Sequence, residues 1–186
     1  LQTIRVALCI LLKEQMGVEN ILQREHEILE TIWEELANIP NIKVLAENTK
    51  DRLGVISFYI EGLHFNLAVK LLNDRFGIQM RGGCSCAGTY GHYLLAVSHE
   101  KSKSLTDEIS SGILANKPGW VRMSIHPTMT NEEIRYILDS LKSLCQHHDA
   151  WGQDYEYNKY TNEYKHKSEA NTTEDLVKGW YASPLV

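Results

Sequence analysis

A chain of 186 residues, 43% hydrophobic and 23% charged, has the composition of a folded domain and enough length to bury a real core, as one domain or as one domain with an appendage. A formal net charge of −5 and the lack of any run of lysine or arginine exclude the nonspecific attraction that draws proteins to nucleic acid or anionic membrane. Four cysteines, two of them at Cys84 and Cys86 and too close for an unstrained bridge, argue against a disulfide framework and for a reducing, cytoplasmic setting.

The apolar run near the start is too short to cross a bilayer and carries no basic leader or cleavage site of the secretory kind. Leu1 to Gln15 reads as a helix that is apolar nearly all round, a pattern normally buried on several sides; Gly17 ends it. The chain opens inside this pattern without methionine, cap or turn, which predicts a piece of a longer protein. Val18 to Asn38 is the cleanest amphipathic helix, with Val18, Ile21, Leu22, Ile28, Leu29, Ile32, Trp33 and Leu36 on one face and Glu25 the one polar exception; Pro40 stops it. Ile42 to Ala46 and Leu53 to Ile60 read as strands joined by a polar connection, the second rich in branched and aromatic residues. Leu63, Phe65, Leu67, Ala68, Leu71 and Leu72 outline a helix ending near Asp74-Arg75. Gly77 to Met80 then reads as a brief strand leading to Arg81.

Arg81 to Gly91 reads as a glycine-rich loop. A polar helix is expected from about Ser102 to Leu114, a turn at Lys117-Pro118-Gly119, and an alternating strand from Trp120 to Ile125. Thr130 and Glu133 have the capping-box spacing, and Ile134, Ile137, Leu138, Leu141, Leu144 and Cys145 give the following helix one apolar face. From Asp149 the composition shifts. Trp151 to His166 lacks a strong apolar face and reads as an extended strip, Ser168 to Thr173 as flexible. The order of elements predicts an α/β (α+β type) fold in which helices pack on a small, largely antiparallel sheet.

The chemistry concentrates between Arg81 and Gly91. A free thiol is mostly protonated at neutral pH, and a nearby guanidinium favours the nucleophilic thiolate. Cys84 and Cys86 are therefore either reactive or incidental on a glycine-rich turn. Cys9 and Cys145 sit in apolar helical patterns, where buried thiols are common. Cys84 and Cys86 with His92 or His99 could hold zinc, although the spacing is not that of paired C-x-x-C sites. His147 and His148, near a helix end, suit the helix dipole. Arg122 interrupts an apolar strand; it either faces solvent or clamps a carboxylate in bidentate fashion.

The markers Gly17–Glu25 (G-V-E-N-I-L-Q-R-E), Arg52–Phe58 (R-L-G-V-I-S-F), Phe76–Gly83 (F-G-I-Q-M-R-G-G), Cys84–Ala87 (C-S-C-A), Trp120–Ser124 (W-V-R-M-S) and Thr130–Ile134 (T-N-E-E-I) come in an order that resembles the C-terminal part of class V aminotransferase-like enzymes using pyridoxal phosphate, the cysteine desulfurase and selenocysteine lyase branch in particular. The resemblance covers about Leu1 to Gln146. It assigns 1–148 to the small domain of such an enzyme, with 1–16 as the connecting helix from a large domain, and leaves 149–186 as a tyrosine-rich extension. It implies that Cys86 takes sulfur from the substrate and becomes a persulfide, that Arg122 holds the substrate carboxylate, and that Arg81 and Gly83 open the loop on the substrate-binding side. It also implies an amino-acid substrate, a homodimeric parent and a sulfur-acceptor protein.

The sequence departs from that family in three ways. The lysine that carries pyridoxal phosphate in the family lies upstream of the matching part, so this chain alone is expected to be inactive and to hold no cofactor. Ser85 stands where a histidine commonly precedes the cysteine. Cys86 and Arg122 are separated by an insertion, roughly Tyr90 to Lys117, that could reshape or cover the site. Two other readings remain open: a class V aminotransferase or epimerase with incidental loop thiols, and a non-catalytic metal-binding module.

Overall fold

Four short strands, β1 (Ile42–Val44), β2 (Val55–Ile60), β3 (Arg81–Gly83) and β4 (Trp120–Ser124), form a sheet in the order β1-β2-β4-β3 with every pairing antiparallel. The structure is a computed structural model that describes residues 1–83, 88–168 and 172–182. Period-two alternation gives the sheet two unlike faces. Ile56, Phe58 and Ile60 of β2 and Val121 and Met123 of β4 are buried in one core with residues of α2 (Val18–Ala37), α3 (Phe65–Phe76) and α6 (Asn131–Gly152). Ile28, Leu29, Ile32 and Leu36 come from α2, Leu67, Ala68, Leu71 and Leu72 from α3, and Ile134, Leu138, Leu141 and Leu144 from α6. The helices-on-antiparallel-sheet class expected from the sequence is the class observed.

Local signals set the helix ends. Thr130 and Glu133 form the capping box: Glu133 N–H donates to Thr130 Oγ1 (3.1 Å) and Thr130 N–H to Glu133 Oε2 (2.8 Å). Arg24 ties α2 to the start of α6, with Nη2 donating to the Met129 carbonyl (2.9 Å) and Asn131 Oδ1 (2.7 Å). His64 caps α3 by accepting from Asn66 N–H at 3.1 Å. Gly77, at φ 67°, ends α3 in the left-handed conformation that glycine reaches without steric cost.

Several elements differ from expectation. The first helix, α1 (Gln2–Met16), has no buried residue: Ile4, Val6, Leu8, Ile10, Leu11 and Leu12 are all exposed, as is Cys9. Apolar character called for burial, but the contacts of α1 with the described residues are mainly with α2 and bury none of its side chains. The α2 stripe splits as well, since its first turns expose Val18 and Leu22 while its second half enters the core. Gly77 to Met80 is not a strand; pairing starts at Arg81. The Arg81–Gly91 stretch is not one loop, because β3 occupies its first three residues and α4 (Gly88–Leu94) begins within it. The polar helix, α5 (His99–Ser110), starts earlier than expected because Ser98 caps it.

The C-terminal residues are more ordered than an extended strip. After α6 the chain forms a hairpin of β5 (Tyr155–Asn158) and β6 (Glu163–His166) that packs on α3. Its tyrosines recur at period two, so Tyr155 and Tyr157 present one ringed face. Asn158 Oδ1 accepts from the Tyr160 and Thr161 N–H groups, an Asx-type turn. Tyr155 Oη donates to Asp74 Oδ2 (2.9 Å). A last helix, α7 (Thr172–Ala182), follows and takes in the last two residues of the segment expected to be flexible; residues 169–171 of that segment lie outside the described residues. No helix among the described residues is long and apolar enough to cross a membrane.

Two outcomes follow. Leu141 is fully buried, so Leu141→Ala is expected to cost about 2–5 kcal/mol in denaturant unfolding, against about 1 kcal/mol for Thr130→Ala at the cap. Burial of the His64 imidazole beside Phe65, Tyr157 and Tyr164 lowers its pKa. The folded state then binds this proton less well than the unfolded chain. The associated stability is fully present above the ordinary histidine value of about 6.5 and is lost as pH falls through the lower folded-state value. Amide exchange across residues 155–166, corrected for intrinsic rates, should therefore accelerate at mildly acidic pH, and His64→Asn, which keeps a capping oxygen, should remove the effect. Unchanged exchange in the wild type would refute it.

Candidate functional site

β4 is bonded on both edges, and its register decides what stands beside Arg122. Ser57 of β2 and Arg81 of β3 are its direct partners on either side. Residues directly opposite share a face, so Ser57, Arg122 and Arg81 form one row on the sheet face turned away from Val121 and Met123. Arg122 is half-buried, not fully solvated, and its buried Nε has no hydrogen-bond partner among the described residues. Arg81 is exposed. A buried donor left unpaired costs about 1–3 kcal/mol, and two like charges directly opposite repel. One anion between the guanidiniums would relieve both penalties. A carboxylate has the geometry for it, offering two oxygens to forked donors.

The neighbouring row is Gly83 opposite Trp120. Trp120 is buried although it shares the face of Arg122, because α4 lies on it: a Cβ on Gly91 would stand 2.9 Å from the indole ring. Gly83 has φ +120°, which side-chain-bearing residues rarely adopt. The chain thus leaves β3 beside Trp120 and returns to the same ring three residues after α4 begins. Cys84 and Cys86, with Ser85 and Ala87, lie between these anchors and outside the described residues.

The rest of the insertion is fixed by its own contacts. Ser102 Oγ bonds His92 Nδ1 (2.8 Å), Leu105 of α5 is buried, and the Leu114 N–H donates to the Lys159 carbonyl (2.9 Å). His99 is exposed at the first position of α5. Among the described residues no group of three or more histidine, cysteine or acidic side chains could hold a metal. His147 lies more than a turn inside α6, where its Nδ1 donates to the Ser143 carbonyl (2.9 Å) and its ring stacks on Trp151; His148 faces Asp149. Burial pushes the Cys145 thiol up to about 11, an inert core sulfur. Sequence reasoning found both arginines but missed Ser57 and the anchoring role of Trp120. The signal for Ser57 was a small hydroxyl in the otherwise apolar and aromatic run Val55–Ile60.

Residues 2–137 match the family model of the class-V aminotransferases, and the chain belongs to that family. Among curated relatives, a "probable cysteine desulfurase" of Synechocystis sp. is 30% identical over 133 residues, covering 70% of this chain and 26% of that protein. A "probable cysteine desulfurase" of Xylella fastidiosa is 36% identical over 73 residues, covering 39% of this chain and 17% of that protein. Among solved structures, the apo cysteine desulfurase of Thermococcus onnurineus NA1 aligns with a TM-score of 0.49 at 23% identity, over 72% of this chain and 28% of that one. The chain spans about a quarter or less of the length of the relatives it matches.

The paired guanidiniums make a thermodynamic prediction. Arg81→Gln removes the like-charge opposition and should stabilise the chain by roughly a few tenths of a kcal/mol at low ionic strength. Acetate should raise the melting temperature of the wild type and not of this variant, compared at equal ionic strength with chloride. Equal responses would show that the pair binds no carboxylate.

Proposed function

We propose that this chain contributes the substrate-carboxylate arm and the sulfur-accepting thiol of a pyridoxal-phosphate enzyme of the cysteine desulfurase or selenocysteine lyase type. The observation that carries the reading is the Ser57–Arg122–Arg81 row with its unpartnered buried Nε. Family membership and the printed names of the two curated relatives support it.

The row's donors fit the carboxylate of an amino acid; the resemblance puts the lysine that holds the cofactor on a part of the parent that this chain does not contribute. Pyridoxal phosphate, when bound, supplies an electron sink for breaking bonds near the amino acid's Cα. This chain's residues orient and accept. Arg122 and Arg81 hold the carboxylate and so fix the direction of the side chain. The Cys86 thiolate attacks the substrate's sulfur or selenium. The new bond to Cys86 forms as the carbon–chalcogen bond breaks, the electron pair of that bond stays on carbon, and a proton completes alanine. Arg81 lies five positions before Cys86 in the sequence, and a guanidinium brought near a thiol favours its thiolate. The isolated chain is inactive in this account, and the parent works in the cytoplasm as a homodimer that passes sulfur to an acceptor.

The test uses the holoenzyme that carries this chain. Cys86→Ser should abolish sulfide release from cysteine, Cys84→Ser should retain it, and Arg122→Lys should lower kcat/KM about 10–100-fold through loss of a charged, bidentate contact. Full activity in both cysteine variants would sink the desulfurase reading and favour an aminotransferase with incidental thiols, which a comparison of cysteine, alanine and aspartate as substrates would then identify.

A further inference from the structure

The family match ends at residue 137, and the β5–β6 hairpin lies beyond it. Its docking surface leads back to the arginine row. Tyr157 and Tyr164 are a cross-strand pair with ring centroids 4.7 Å apart. Both rings stand against His64, at 5.4 and 5.5 Å, and His64 stacks on Phe65 at 4.4 Å. The Phe65 ring fills a notch made by two missing side chains: a Cβ on Gly119 would lie 2.5 Å from it and a Cβ on Gly82 3.2 Å. Gly82 lies in β3 directly opposite Val121, so each is the chain neighbour of one of the two arginines. Gly119 leads directly into β4.

Two polar links follow the same route. Asn66 Nδ2 donates to the carbonyl of Asn162, a buried residue in the hairpin turn, and Asn66 Oδ1 lies 3.0 Å from where a Cβ on Gly82 would be. The Leu114 N–H donates to the Lys159 carbonyl in that turn, tying down the segment that enters β4. The hairpin therefore bears on both strands that carry the arginines, through one ring and one amide.

We propose that the β5–β6 hairpin is a positioning element for the carboxylate site, seating Phe65 between Gly82 and Gly119 and so fixing the placement of β3 against β4 and the separation of Arg81 from Arg122. Its functional meaning rests on the carboxylate reading above; the mechanical part, that hairpin docking sets β3, does not. Forked recognition of a carboxylate needs both guanidiniums at matched distances, and misplacement by about 1 Å is felt strongly in such geometry. Tyr164 is the positioning residue to test, because its ring leads to the row through His64 and Phe65.

Tyr164→Leu removes the ring and Tyr164→Phe keeps it. In the full chain, labelled with 15N, the Gly82, Gly83 and Trp120 amide resonances should move in Tyr164→Leu and return in Tyr164→Phe. The Kd for acetate should rise about fivefold or more, roughly 1 kcal/mol, in the leucine variant and return in the phenylalanine variant. A hairpin that only adds stability would lower the melting temperature and leave both the glycine resonances and the acetate Kd unchanged, which overturns the proposal. If the wild type fails to bind acetate, the carboxylate reading falls, and the glycine resonances alone decide this inference: unmoved they refute it, moved they uphold it. Tyr157→Leu, read the same way, replaces Tyr164→Leu should that variant not fold.

Discussion

Two arginines, Arg81 and Arg122, stand directly opposite one another in the register of a β-sheet. Arg122 occupies the central strand of its side of the sheet, bonded to β2 and β3, so its position cannot drift without breaking the ladder on both edges. The same alternation that turns Arg122 outward turns Val121 and Met123 into the core. The core therefore holds the site: burial of those neighbours, at about 1.5–3 kcal/mol for each large side chain, keeps a half-buried charge in a place it would otherwise leave. The Arg122 Nε, without a hydrogen-bond partner among the described residues, and the opposition of Arg81 are costs that binding an anion would remove.

The thiol segment depends on the same strand. Trp120, two residues from Arg122, is the ring on which α4 rests and the register partner of Gly83. The insertion leads from that ring through α5 to Leu114, where it meets the hairpin turn. The hairpin in turn backs α3 and, through Phe65, the two glycines that flank the arginine row. Strand register, insertion and C-terminal hairpin thus meet at β3 and β4, and no one of them alone defines the site.

Much of this was legible in the chain, and the reasons are local. The strand Trp120–Ser124, the capping box at Thr130 and Glu133, and the apolar stripes of α3 and α6 depend on near neighbours in sequence, and the structure shows them as expected. The pairing of Arg81 with Arg122 was not legible as geometry, because β3 is three residues long and carries no period; composition drew attention to each arginine separately, and nothing in the spacing set them opposite one another. The hairpin was missed because its tyrosines recur at period two without an alternating apolar partner. Their burial comes from α3, which sequence spacing does not reveal. The exposed α1 shows the converse: apolar composition states a demand for burial, and among the described residues α1 has none of its side chains buried. The two loop cysteines, the most conspicuous feature of the sequence, fall outside the described residues.

The most direct measurement is the side-chain Nε–Hε resonance of Arg122 in chain labelled at arginine with 15N, followed through a titration with L-alanine, whose carboxylate and Cα are those of the proposed product. A saturable shift is expected in the wild type and should be lost in Arg81→Gln, because both guanidiniums hold one carboxylate. An Arg122 resonance that does not respond, or that responds equally without Arg81, would contradict it.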